Sequence, residues 1–291
     1  MSWDLQGRTV FITGAARGIG ADSARRLAAR GANVALVGLE PEELRRVAAD
    51  IGPAAAAFDA DVTDVDTLNR AVEGVVARFG GIDAVVANAG IAPVGTVLTI
   101  DPEAFERTIE VNLLGVWRTV RATLPHVIER RGYVLCVASV AAAVHGPLMA
   151  HYSASKAGTE AFAQALRSEV AHKGTRVGVA YFSFIDTDMV RDAFSHPATR
   201  AQRDAAPSWL TKPLPLSAAG KAIEKGVAER ADRVVAPRWA RGVLALRNAI
   251  PAIESARASR DPVLRETIRA AEAAATSGAA PAAAQVPERG R

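Results

Sequence analysis

Apolar residues come in short unbroken runs, separated by segments with helical spacing. The runs at 8–13, 33–37, 55–58, 82–87, 133–138 and 176–181 are rich in Val, Ile and Ala. Between them lie amphipathic segments at 20–30, 41–51, 65–79, 102–130 and 153–171. Apolar strands without polar alternation are buried on both faces, and strands that alternate with helices make a parallel sheet covered on both sides. The expected fold is α/β, a doubly wound parallel sheet in three layers. Ligands of such sheets bind outside the carboxyl ends of the strands. Gly14, Asp61, Asn88, Ser139 and Ile185 all fall at such ends.

The 291 residues are 49% hydrophobic and 23% charged, ordinary for a soluble enzyme with a substantial core. The single cysteine, Cys136, lies in an apolar run, so no intrachain disulfide forms and a reducing, cytoplasmic setting is expected. The N-terminus has no basic region followed by an apolar stretch, so no secretory leader is expected. No apolar run approaches the ~20 residues that span a bilayer. The net charge of +4 is uneven, with seven basic and three acidic residues between Lys221 and Arg247. Those basic residues are not interleaved with stacking aromatics, so nucleic acid is not the expected partner. Residues 235–250 form a basic, apolar stretch that packs on the body or on another subunit, or touches a membrane or lipid. An extension at 251–291 follows, helical at first; from about Ala271 it is alanine-rich, and disorder or loose helix is expected.

Two constellations carry chemistry. The first run leads into Gly14-Ala15-Ala16-Arg17-Gly18-Ile19-Gly20 and then a helix. Strand, glycine turn and helix N-terminus suit a diphosphate, because glycines allow close approach and the helix presents free N–H groups. The second is Tyr152 and Lys156, one helical turn apart, with Ser139 at the end of the fifth run. A cation beside a phenol favours the phenolate, which makes tyrosine usable for proton transfer near neutral pH. A hydroxyl at the strand end would hold a substrate oxygen meanwhile. His126, His145, His151, His172 and His196 show no metal-ligand spacing, so no metal is expected.

With these residues assembled, roughly 5–250 of the chain resembles the short-chain dehydrogenases/reductases of the single-domain Rossmann type. The resemblance rests on Thr13-Gly14-x-x-x-Gly18-Ile19-Gly20, Asp61-Val62, Asn88-Ala89-Gly90, Asn112, Ser139 and Tyr152-x-x-x-Lys156. It implies a dinucleotide-binding and catalytic domain at 1–250 that interconverts an alcohol and a ketone or aldehyde. Tyr152 would be the general acid/base and Ser139 would position the substrate oxygen. Lys156 would lower the tyrosine pKa and hold the nicotinamide ribose, while Asn112 would anchor a water in a proton relay. Asp61 would bind the adenine amino group beside Val62, and Asn88, Ala89 and Gly90 would flank the adenosine. Ile185 and Thr187 match carboxamide-binding positions. A homo-oligomer, dimer or tetramer, is implied through the long helices 102–130 and 153–171.

The chain departs from that pattern twice. Where NAD-preferring relatives carry an acid after the second strand, Gly38 stands here, followed by Leu39 and Glu40. With Arg17 available for a 2′-phosphate, NADP(H) is expected over NAD(H). Second, Phe182-Ser183 replaces the usual Pro-Gly before Ile185, and a narrowed nicotinamide pocket is expected. That departure alone favours the alternative of a non-catalytic, redox-sensing dinucleotide-binding module. Residues 188–215 would be a lid over the substrate. Ala141, His145, Met149, Phe184 and Met189 are the candidate lining for a bulky hydrophobic alcohol or ketone.

Overall fold

A computed structural model describes residues 3–196, 199, 203, 211–247 and 261–276. Seven parallel strands form one sheet in the order β3-β2-β1-β4-β5-β6-β7. They are β1 (Thr9–Thr13), β2 (Asn33–Gly38), β3 (Ala55–Asp59), β4 (Ala84–Ala87), β5 (Tyr133–Val137), β6 (Arg176–Phe182) and β7 (Arg233–Ala236). The order reverses between β1 and β4, which leaves a crevice at their carboxyl ends.

Side chains alternate between the two faces of each strand. Val10 and Ile12 of β1 join one core with Leu27 of α1 (Gly18–Ala29), Leu44 of α2 (Pro41–Ile51) and Ile223 of a later helix, Leu216–Glu229. Phe11 joins the other core with Val75 of α3 (Val65–Phe79), Val120 of α5 (Gly115–Glu129) and Leu166 of α6 (Ala150–Val170). Three layers result. Local chemistry sets the helix ends: Asp64 caps α3 by accepting from the amides of Asp66 at 3.0 Å and Thr67 at 3.3 Å, and Gly80 ends it at φ +80°.

Two elements differ from expectation. A seventh strand, β7, adds to β6 where only six were expected; it is four residues long with Arg233 exposed, too short and mixed to show as an apolar run. The segment 102–130 is not one α-helix: α4 (Pro102–Ile109) passes through a π-helical turn, Glu110–Leu114, into α5. Such wide turns occur often at functional sites, and this one contains Asn112. The basic stretch after β7 turns Ala240 and Leu244 inward and leaves Leu246 66% exposed. The extension is helical over Pro262–Thr276, and residues 277–291 lie outside the described part. No described helix is long and apolar enough to cross a membrane.

Candidate active site

The glycine turn is fixed by close backbone approach. Gly14 and Gly18 hold φ +64° and +56°, a region that side chains disfavour. A Cβ on Gly20 would lie 2.3 Å from the Gly14 carbonyl oxygen, and one on Gly14 would lie 2.9 Å from Ala89 Cα. Asn88 ties the ends of β1 and β4 together: its Nδ2 donates to the carbonyls of Thr13 at 3.0 Å and Gly14 at 3.2 Å. Thr13 Oγ1 accepts in return from the amides of Asn88 at 3.0 Å and Ala89 at 3.2 Å. No side chain caps α1 at Arg17, so its first amides are available to an anion at the crevice.

A cavity of about 370 Å³ opens from this turn. One end is lined by Gly14, Arg17, Gly18, Ile19 and Glu40, and the middle by Asn88, Ala89 and Gly90. The far end is lined by Ser139, Tyr152, Lys156, Ile185, Thr187 and Met189. Gly20, Gly38, Asp61, Val62 and Asn112 lie outside its lining. Arg17 does not wait free for a phosphate, because its Nη2 donates to Glu40 Oε1 at 2.6 Å. Gly38 closes β2 beside Leu44 and Glu40. Asp61 is buried; burial pushes its carboxyl up, but hydrogen bonds from the Thr63 hydroxyl and amide, with Arg107 nearby, hold it below the ordinary range.

At the chemical end, Lys156 Nζ donates to the Val137 carbonyl at 2.9 Å and lies 5.7 Å from the centre of the Tyr152 ring. Burial brings the lysine down to about 8, opposed by the electrostatic influence of Cys136. The spacing expectation, a tyrosine lowered by its neighbouring cation, does not describe this state. Burial pushes Tyr152 above the usual tyrosine value, and a hydrogen bond with the Ser139 side chain only partly opposes it. Ser139 Oγ accepts from the Ala141 amide at 3.1 Å and directs its own proton to the Phe182 carbonyl at 3.2 Å.

Asn112 is fully buried and braces the loop after β4. Its Oδ1 accepts from the Ile91 amide at 2.8 Å, and its Nδ2 donates to the Ile91 carbonyl at 2.9 Å and to Ser155 Oγ at 3.1 Å. Its carbonyl accepts from Thr159 Oγ1 at 2.9 Å. The wide turn of Glu110–Leu114 carries this side chain.

The substrate end departs most from the sequence expectation. Of the five candidate lining residues only Met189 reaches the cavity; Ala141, His145, Met149 and Phe184 do not. His145 is exposed with Nδ1 on the Ala141 carbonyl at 3.1 Å, and Phe184 packs its ring 4.8 Å from that of Phe194. Phe182 does not break the strand: it pairs with Ala236 in register and packs into the core, 4% exposed, while still lining the cavity. Met189 and Phe194 belong to α7 (Asp188–Ser195), the described start of the expected lid, whose residues Pro207 and Trp209 lie outside the described part. The lining also takes in Ile91, Ala92, Val137, Ala138 and Val190, which the sequence expectation missed. Their signal was position alone: Ile91 and Ala92 follow Asn88-Ala89-Gly90, Val137 and Ala138 precede Ser139, and Val190 follows Met189. Among the described residues no cluster of His, Cys, Asp and Glu suits a metal.

Residues 8–198 match the family model described as short chain dehydrogenase. The chain is 34% identical over 204 residues to 3beta-hydroxysteroid dehydrogenase 1 of Eggerthella lenta, covering 68% of this chain and 78% of that protein. It is 33% identical over 189 residues to the 3-oxoacyl-acyl-carrier-protein reductase FabG of Escherichia coli, covering 65% and 78%. Among solved structures, a 3-ketoacyl-(acyl-carrier-protein) reductase from Brucella melitensis complexed with NADH superposes with a TM-score of 0.72 at 30% identity. That match covers 99% of the Brucella chain but 80% of this one.

Proposed function

Because the chain belongs to the short-chain dehydrogenase family and is an NAD(P)-dependent oxidoreductase acting on CH–OH groups, we propose that it interconverts a fairly bulky hydrophobic alcohol and its ketone, with Tyr152 as the general acid and base. The observation that carries this is one cavity running from the glycine turn to Ser139, Tyr152 and Lys156. The residues fit a dinucleotide: Gly14 and Gly20 permit close approach, and the uncapped α1 N-terminus offers amides to a diphosphate. Asn88, Ala89 and Gly90 would flank the adenosine, Lys156 the nicotinamide ribose, and Ile185 with Thr187 the carboxamide. Bound there, the nicotinamide supplies or accepts the hydride.

The chain's own part is orientation and a proton. A phenol held above its ordinary pKa is protonated at neutral pH, which is the form that donates to a carbonyl oxygen in reduction. Ser139 keeps its oxygen engaged by the Ala141 amide, and the long contact of its proton to Phe182 is readily exchanged for one to the substrate oxygen. The Lys156 ammonium, fixed on Val137, stabilises the phenolate left behind. Asn112 acts as a brace for Ile91, which lines the same cavity.

For the coenzyme we favour NADP(H): Gly38 presents no acid to repel a 2′-phosphate, and Arg17 is the cation near the turn, partly held by Glu40. The relatives named for hydroxysteroid and oxoacyl substrates support a hydrophobic carbonyl compound. A homo-oligomer is proposed through α5 and α6, supported by Leu114 and Trp117, exposed at 36% and 38%.

The test is oxidation of NADPH or NADH by the purified protein with simple cyclic ketones. Ketone-dependent turnover is expected. Coenzyme binding without turnover on any alcohol or ketone would sink the reading and favour a redox-sensing module.

A further inference from the structure

We propose that the helix Pro262–Thr276 braces the substrate end of the site and determines which carbonyl compounds it accepts. This deepens the reading above and rests on it. The helix starts at Asp261, whose Oδ1 accepts from the amides of Val263 at 2.9 Å and Leu264 at 3.1 Å. Thr267 and Ala271, one turn apart, are 0% and 5% exposed, whereas Arg265, Glu266 and Arg269 face outward. One face is therefore seated on the body.

Its seat is specific. Ala271 forms a small apolar cluster with Leu148 and Val94, apart from the two main cores. Val94 stands two residues after Ala92, which lines the cavity with Ile91. Leu148 closes the loop that begins at Ser139 and lies four residues before Tyr152. The two loops are joined under the helix: the Gly95 amide donates to the Leu148 carbonyl at 3.0 Å. His151 Nε2 donates to the Pro93 carbonyl at 2.8 Å, since a carbonyl only accepts. Leu148 itself sits at φ +67°, a left-handed conformation that a leucine keeps only when its surroundings impose it.

Ala271 covers the side chain of that residue. The helix thus fixes the meeting point of the loop that supplies the apolar wall and the loop that leads from Ser139 to Tyr152. It lies beyond residue 198, where the family match ends. A ketone small enough to contact only Ser139 and Tyr152 does not feel it. A ketone whose body extends along Ile91 and Ala92 does.

The experiment compares the full chain, a chain ending at Arg260, and the full-length Ala271→Asp variant, which puts a carboxylate between Leu148 and Val94. Reduction of cyclohexanone and of the two-ring ketone 2-decalone is measured with NADPH, alongside the Kd of NADPH. The expected result in both variants is a fall of about tenfold or more in kcat/KM for 2-decalone relative to cyclohexanone, carried by KM, with NADPH binding within about twofold. An unchanged ratio in both variants overturns the inference. So does a parallel loss with both ketones and NADPH, which is what general destabilisation gives. A full chain that reduces neither ketone contradicts the carbonyl-reducing reading itself, and this inference falls with it.

Discussion

Arg17 Nη2 donates to Glu40 Oε1 at 2.6 Å across the mouth of the cavity, joining the glycine turn to the start of α2. Both side chains are partly exposed, at 59% and 32%, so the pair is worth little to stability. Its effect falls on the ligand instead. A 2′-phosphate competes with Glu40 for Arg17, whereas a ribose diol donates its hydroxyls to the Glu40 carboxylate. Glu40→Gln is therefore expected to raise the NADPH-over-NADH binding ratio by about tenfold, and Arg17→Ala to lower it, by parallel titrations. An unchanged ratio in Glu40→Gln would mean that the pair does not face the ribose.

Tyr152, held above its ordinary value by burial, predicts opposite pH profiles for the two directions. Ketone reduction needs the protonated phenol and should stay level through neutral pH, then fall at alkaline pH. Alcohol oxidation needs the phenolate and should rise over the same range. Steady-state kcat/KM in both directions reads this directly, and two profiles of the same sign would speak against a single tyrosine serving both.

Lys156 titrates at about 8 in the fold against an ordinary 10.5. Between those values the unfolded chain holds a proton that the folded chain has released, so this group adds stability as pH rises through that window. Below about 8 its buried charge costs the fold on the order of 3 kcal/mol. Lys156→Met is thus expected to gain most over the unliganded wild type near pH 7, and the difference should shrink toward pH 10. Denaturant melts at several pH values check the trend, and a constant difference would contradict it.

Trp117 is exposed on α5, flanked by Arg118 and Arg121, with Leu114 one turn earlier. If this face is where copies meet, Trp117→Glu should shift the protein toward monomer in sedimentation and melt below wild type at high concentration, with the difference shrinking on dilution. A wild-type protein that is already monomeric would rule the face out as an interface.

Much of this was legible in the chain because the physics is local. β1 to β6 are apolar on both faces and bounded by turns, and the glycines at 14 and 20 stand where backbone approaches within atomic contact. β7 was hidden, since Arg233–Ala236 is a four-residue edge among basic residues. The π-turn was hidden too, because helical spacing runs through Glu110–Leu114 without a break. Sequence placed Tyr152 and Lys156 on one face, but the tyrosine's shift follows from burial by distant residues, which spacing does not contain. His145 and Met149 were expected in the pocket from closeness to Ser139. Closeness along the chain did not fix their direction, and the loop turns them elsewhere.

The most direct test of the central claim is the Tyr152→Phe variant, measured for ketone reduction and for NADPH binding together. A fall of about 100-fold or more in kcat is expected, the scale of a lost general acid, with the Kd of NADPH within about twofold of wild type. Reduction that survives at near wild-type rate would show that the proton comes from elsewhere, and the roles given to Ser139, Tyr152 and Lys156 would not stand.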